Sequence, residues 1–155
     1  MKKAIPEQVA APAKRRARTT LKIAAETLEQ LNAAVRAKYG PRGQGRWIEE
    51  AIDRLMARPG FVIEVGAGRE TLPAAERRVL TVSLTPAAGE LLEAGVRRVR
   101  RVDPMSEGIQ GDIIRTAIRL RLKADSAAAP KAAGAAAAPT PLSEVRPARA
   151  LRKRA

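Results

Sequence analysis

One stretch of the chain decides its fold: Arg78-Val79-Leu80-Thr81-Val82-Ser83-Leu84-Thr85-Pro86. Leucine and valine alternate here with threonine and serine, and this period of two is typical of a strand with one buried face. Thr85 then suits a helix N-cap, and Pro86 suits the first helical position, where a missing N–H costs nothing. The stretch therefore predicts a short strand that runs directly into a helix.

A lone strand cannot satisfy its backbone hydrogen bonds, so a partner strand is required elsewhere in the chain. An earlier segment, Arg18-Thr19-Thr20-Leu21-Lys22-Ile23, repeats the alternation more weakly. We predict that the two segments pair as a short antiparallel β-ribbon with its leucine, isoleucine and valine side chains facing inward. The outward side chains would then be Arg18, Thr20 and Lys22 on one strand and Val79, Thr81 and Ser83 on the other.

Apolar residues at helical spacing follow each candidate strand. The pattern predicts helices from Ala24 to a stop at Gly40, from about 45 to 58, from 86 to 101, and from 108 to 123 with Ser106 as a candidate cap. Trp47 is expected in the core, and residues 61–65 could form a short extra strand. The chain is thus predicted to be mainly α with a two-stranded ribbon.

The two halves of the chain repeat one pattern. Four apolar positions of the first strand and helix recur at an offset of 61: Leu21, Ile23, Leu31 and Val35 map onto Val82, Leu84, Leu92 and Val96. In the second helices the offset is 66, and Ile48, Ala51 and Ile52 map onto Ile114, Ala117 and Ile118. Each half therefore reads as strand, helix, loop, helix.

The formal net charge is +14, and the chain has neither cysteine nor histidine. Such a charge favours a polyanionic partner, most often nucleic acid. The missing residue types exclude disulfides, thiol catalysis, Cys/His zinc sites and imidazole chemistry. Carboxylates are scattered, and no glycine-rich phosphate loop follows a strand. We expect no enzyme activity, cofactor, metal or small-molecule substrate, and no membrane span.

Composition divides the chain into five parts. Residues 1–17 are expected to be a disordered basic arm, and 124–155 a disordered Ala/Pro/Arg tail. Between them lie the two repeat units, 18–58 and 77–123, joined by a connector over 59–76. Non-specific attraction to DNA is expected from four basic residues: Lys14, Arg15, Arg16 and Arg77. The alternative is that these side chains remain solvated and make no contact.

The chain resembles the ribbon-helix-helix (Arc/MetJ/CopG) superfamily over about 18–57 and 78–123. The resemblance is carried by the two strand motifs and by the paired Gln-Gly-x-x-Ile-x-x-Ala-Ile segments that begin at Gln44 and Gln110. Family members usually carry one unit and dimerise. Two units in one chain are similar to the fused TraY-type conjugation proteins, which implies an intramolecular pseudo-dimer with disordered basic tails.

A two-stranded ribbon fits the major groove of B-DNA, where Arg and Lys favour guanine and hydroxyls or methyls address other base edges. The six outward side chains are therefore predicted to contact bases; the alternative is that they only solvate the ribbon. The resemblance also implies that the start of each second helix grips the DNA backbone. The predicted phosphate contacts are Gln44, Gly45 and Arg46 with Gln110 and Gly111, the alternative being glycines that only break loops.

Asp112 departs from this pattern, because a carboxylate at the second of these helix starts would compete with phosphate. The first hypothesis is a transcriptional repressor of the bacterial cytoplasm and nucleoid that binds double-stranded DNA and regulates its own gene. Under this hypothesis, copies of the protein could also associate with one another on DNA. The alternatives are a relaxosome accessory protein of plasmid conjugation, an antitoxin, and a non-specific nucleoid-coating protein.

Overall fold

The computed structural model describes residues 15–67, 69 and 73–129. The elements follow one another as β1 (Ala17–Ala24), α1 (Ala25–Tyr39), α2 (Gln44–Met56), α3 (Phe61–Ala67), a 3₁₀ turn (Ala74–Glu76), β2 (Arg77–Leu84), α4 (Pro86–Val102) and α5 (Ile109–Ala128). None of the helices in these ranges is long and apolar enough to cross a membrane.

The two strands form an antiparallel two-stranded sheet, as the alternation predicts. The register pairs Thr20 with Thr81 at the centre of the ribbon. Leu21 and Ile23 of β1 are buried, and so are the alternate apolar residues of β2, Leu80, Val82 and Leu84. The predicted inner and outer faces are therefore confirmed, because a strand whose side chains alternate sides can bury only one of its two sets.

The inner face of the ribbon packs on helices, with α2 and α5 at the centre of the core. Ile48 and Ile52 of α2 are fully buried, and so are Ile114 and Ile118 of α5. Burial of each such side chain stabilises the fold by about 1.5–3 kcal/mol. Trp47 is also fully buried, which confirms its predicted place in the core.

The helix ends follow the local sequence at two of three predicted places. The Thr85 hydroxyl accepts a hydrogen bond from the Ala88 N–H and caps α4, as predicted. Gly40, with φ of 74°, ends α1 as predicted. The expectation of a Ser106 cap is wrong, because α5 begins after Gly108, whose φ of 66° turns the chain into the helix.

Residues 61–65 are not a strand but the first part of helix α3. A strand would place residues 61, 63 and 65 on one face. Phe61 and Val65 are buried, one helical turn apart, whereas Ile63 is 77% exposed. The segment is helical because that spacing buries two large side chains together against the core.

The predicted disordered arm and tail each overlap residues that the structure places in a strand or helix. Ala17 already belongs to β1, and α5 continues through 124–128, so the tail expected from 124 starts later. Alanine, the residue with the highest helix propensity, supplies three of these five positions and extends the helix. Residues 1–14 and 130–155 of the predicted arm and tail, Lys14 included, lie outside the described residues.

Candidate nucleic-acid interface

The outer face of the ribbon carries three cross-strand pairs of side chains. The register sets Arg18 against Ser83, Thr20 against Thr81, and Lys22 against Val79. Five of these six residues are exposed and Ser83 is half-buried. The hydroxyls of Thr20 and Thr81 lie 3.4 Å apart, at the middle of the face. The structure thus brings the six predicted base-contacting residues onto one surface.

Further cations lie where the two strands begin. Arg15 and Arg16 precede β1 and are exposed, and Arg77 is exposed at the start of β2. Arg78 donates hydrogen bonds to the carbonyls of Ala75 and Arg77, which holds its guanidinium close to the backbone at this corner. Both strand entries are consequently basic.

The start of α2 lies against the end of β2. A Cβ placed on Gly45 would come within 2.9 Å of the Ser83 carbonyl oxygen, so glycine is required here for the helix to approach the strand. The close approach that Gly45 makes is therefore to the ribbon itself, and its phosphate contact stays a prediction. Arg46 is 72% exposed, forms an ion pair with Glu50 at 3.4 Å and lies over the Tyr39 ring.

The start of α5 lies against β1 in a similar way. The Gln110 amide donates to the Thr19 hydroxyl at 3.4 Å. Arg115 donates through Nη1 to the Lys22 carbonyl at 2.8 Å, and a Cβ placed on Gly111 would touch this same guanidinium at 3.4 Å. The two predicted phosphate-contacting segments therefore flank the ribbon, one beside each strand.

Asp112, the residue that breaks the predicted pattern, is buried and compensated. It pairs with Arg115 on its own helix and with Arg69 Nε at 3.1 Å, a residue of the connector. Two guanidinium groups around one carboxylate leave a local excess of positive charge. The carboxylate that would compete with phosphate is thus occupied by neighbours that themselves favour an anion.

A second polar cluster lies behind α2 and includes residues that the sequence did not single out. Tyr39 donates to Glu50, and the buried Arg121 of α5 donates to the same carboxylate at 2.9 Å and to the Trp47 carbonyl. The Tyr39 hydrogen bond, with Arg121 and Lys38 nearby, outweighs partial desolvation and lowers the pKa of Glu50 to about 2.

The guanidinium of Arg121 also lies 4.2 Å from the centre of the Trp47 ring. Arg121 follows Ile114 and Ile118 on the helical stripe, where the sequence pattern leads one to expect an apolar residue. A charge on such a stripe was the available signal for a buried ion pair. Nothing in the pattern identified Glu50 as its partner.

No group of acidic side chains within 15–67, 69 and 73–129 is arranged to hold a metal ion. Comparisons with protein-family models, with curated proteins and with solved structures found no match. The function of the chain has to be inferred from the chemistry of the surface formed by the ribbon and the two helix starts beside it.

Proposed function

We propose that the chain is a sequence-specific double-stranded DNA-binding protein that inserts the β1–β2 ribbon into the major groove and represses transcription, including that of its own gene. The observation that carries this proposal is the outer face of the ribbon. Its six side chains comprise two cations, three hydroxyls and one valine, and none is a carboxylate. These are the groups that address guanine, several base edges and thymine methyls in the major groove.

We further propose that the two halves form a ribbon-helix-helix pseudo-dimer within one chain. The sequence offset of 61 makes Thr81 the counterpart of Thr20, and the ribbon pairs these two residues with each other. The pairs Thr19–Val82 and Leu21–Leu80 then exchange under a two-fold rotation about that point. Under this register the axis of the approximate symmetry passes through the Thr20–Thr81 pair, at the middle of the outer face.

The helix starts support contacts to the DNA backbone on both sides of the ribbon. The first N–H groups of an α-helix have no partner within the helix and lie at its positive end. Gln44 and Arg46 extend from α2 beside β2, and Gln110 extends from α5 beside β1. A ribbon in the groove would bring both helix ends toward the phosphates that border it.

Binding of the full chain to duplexes selected from a random pool tests the proposal. We expect the selected duplex to bind about 10³-fold or more tightly than random DNA. Lys22→Ala or Thr81→Ala should weaken the free energy of binding to the selected duplex by about 1–3 kcal/mol and should change the affinity for random DNA little. Arg101→Ala, at the far end of α4, is the matched control for the loss of a cation.

Equal affinity for selected and random DNA would contradict sequence-specific binding and favour the nucleoid-coating alternative. The predicted backbone contact of Arg46 is read separately, because Arg46→Ala should reduce the slope of log affinity against log salt by about 1 on any duplex. Gel shifts with the upstream region of its own gene and with a plasmid transfer origin distinguish a repressor from a conjugation accessory protein.

A further inference from the structure

The outer face of the ribbon is chemically asymmetric about its central threonine pair. At one end Arg18 lies opposite Ser83, and at the other Lys22 lies opposite Val79. Under the offset of 61, Val79 is the counterpart of Arg18 and Ser83 that of Lys22. The two ends therefore present different groups: a cation beside a hydroxyl at one, and a cation beside an isopropyl group at the other.

Val79 is the apolar member of an otherwise polar surface. It is 66% exposed, one of four large hydrophobic side chains that stand out in this way among the described residues. Val79 adds nothing to the core, because side chains alternate along the strand and its neighbour Leu80 is the one that faces inward. Its opposite neighbour is the exposed cation Lys22. An apolar group between a cation and a hydroxyl suits a partner surface that mixes acceptors with a methyl group.

The edge of a DNA base-pair step supplies that mixture. Guanine presents the N7 and O6 acceptors that favour lysine, and thymine presents a C5 methyl that favours apolar contact. Successive outward pairs on a strand lie about 6.6 Å apart, since each residue advances about 3.3 Å. That spacing is about two base-pair steps of about 3.4 Å. The Lys22–Val79 pair and the Arg18–Ser83 pair therefore address positions about four steps apart.

We infer that Val79 reads the methyl group of a thymine next to a guanine read by Lys22, so that the preferred DNA site has this thymine on one side of its centre and lacks the equivalent requirement on the other. The inference rests on the proposed function, because it specifies the DNA that the ribbon binds. It makes Val79 a specificity-determining residue of this chain.

The test uses the full chain and the selected duplex, in which each thymine is replaced in turn by deoxyuridine. Deoxyuridine differs from thymidine only by the missing methyl. One replacement, on one side of the centre, should weaken binding of the wild type about four-fold, as expected for one buried methyl group. Val79→Ala should bind the thymine duplex about four-fold more weakly and should not distinguish it from the deoxyuridine duplex.

Two further variants sharpen the result. Arg18→Ala, at the counterpart position, should bind more weakly overall but keep the four-fold effect of that deoxyuridine. Val79→Arg, which copies the residue at the counterpart position, should prefer guanine to thymine at the same base pair. Val79 is exposed, so circular dichroism should show the fold of both Val79 variants unchanged.

The outcomes separate the inference from the function on which it rests. Specific binding without a deoxyuridine effect, or with an effect that Val79→Ala leaves unchanged, would overturn the role of Val79 and leave the proposed function standing. A symmetric requirement for thymine on both sides would overturn the inferred asymmetry. Absence of any preference over random DNA would overturn the proposed function and the inference together.

Discussion

The two central helices, α2 and α5, are alike in their core residues and unlike in their polar ones. At an offset of 66, Ile48 and Ile114 are both fully buried, and so are Ile52 and Ile118. Both helices thus pack beneath the ribbon through the same apolar stripe. The likeness ends with the side chains that border this stripe.

At one pair of counterpart positions beside the stripe, the two helices carry side chains of opposite charge. Glu49 accepts a hydrogen bond from the Thr85 N–H, whereas its counterpart Arg115 donates to the Lys22 carbonyl. Each side chain satisfies a backbone group near the end of a strand, with the donor and acceptor roles reversed. A side chain at this position therefore bonds to the strand backbone with either sign of charge.

The buried Arg121 is the largest difference between the helices, because its counterpart in α2 is the apolar Leu55. Its side chain is 1% exposed. We expect Arg121→Leu to lower the free energy of unfolding by about 3 kcal/mol, since it removes from a buried site the guanidinium that donates to both Glu50 and the Trp47 carbonyl. Urea unfolding followed by circular dichroism measures this loss.

A matched control for this variant is Arg54→Leu, which removes an exposed cation of α2 and should change stability by about 0.5 kcal/mol or less. Adding Glu50→Gln to Arg121→Leu should cost less than the sum of the single changes, because the two side chains share one interaction. Additive losses would show that the pair is not coupled and that Arg121 acts through packing alone.

The two helix-start glycines provide a comparison in which we expect effects of opposite sign. Gly45→Ala would bring a Cβ against the Ser83 carbonyl and should destabilise the fold by about 1–2 kcal/mol, because a strand backbone cannot swing aside. Gly111→Ala would meet only the Arg115 guanidinium, at 3.4 Å, and should stabilise by about 0.5–1 kcal/mol through higher helix propensity. Thermal unfolding measures both. Stabilisation by both substitutions would show that α2 does not approach the ribbon so closely.

Glu50 of α2 should make the fold sensitive to acid, and its counterpart in α5 is Thr116, which carries no charge. The folded pKa of Glu50 is about 2, against an ordinary value of 4.5. A carboxyl group whose pKa is lower in the folded state stabilises the fold at any pH above its pKa in the unfolded state. This contribution is lost as the pH falls from 4.5 toward 2. Lys38, Tyr39, Arg46 and Arg121 are the groups that face this carboxylate and surround it.

The measurement compares wild type with Glu50→Gln in urea at pH 7 and at pH 2. We expect the stability advantage of wild type at pH 7 to shrink by about 1 kcal/mol at pH 2, a modest figure because the side chain is 32% exposed and screened by water. Other carboxylates are common to both proteins and cancel. An advantage that does not change with pH would place the titration elsewhere.

Local periodicity was enough to predict the ribbon, its two faces and the helices that follow each strand, and residue preferences at a helix start predicted the Thr85 cap. It failed at residues 61–65, because five residues are too few to separate a period of two from one of 3.6. It also failed at the end of α5, where alanine-rich sequence reads equally as low complexity and as helix.

The predicted site residues lie on one surface, but their environment could not be read from the chain. The sequence predicted that the Asp112 carboxylate would oppose an anion. Its charge is compensated in part by Arg69, which lies 43 positions away along the chain. Gly45 suggested room for a ligand, whereas its missing side chain admits a strand carbonyl. Spacing predicts which face a residue occupies, and only the packed structure shows which distant groups meet it there.

Because Thr20 and Thr81 are paired within a single polypeptide, the ribbon persists at any dilution at which the chain stays folded. A ribbon assembled from two separate chains would fall apart below its dissociation constant, and occupancy of a ligand would then rise with the square of protein concentration. Under the proposed function, with one chain bound to each site, we expect occupancy of the DNA to rise with the first power of protein concentration. Each folded chain presents the whole outer face of the ribbon without first meeting a second copy.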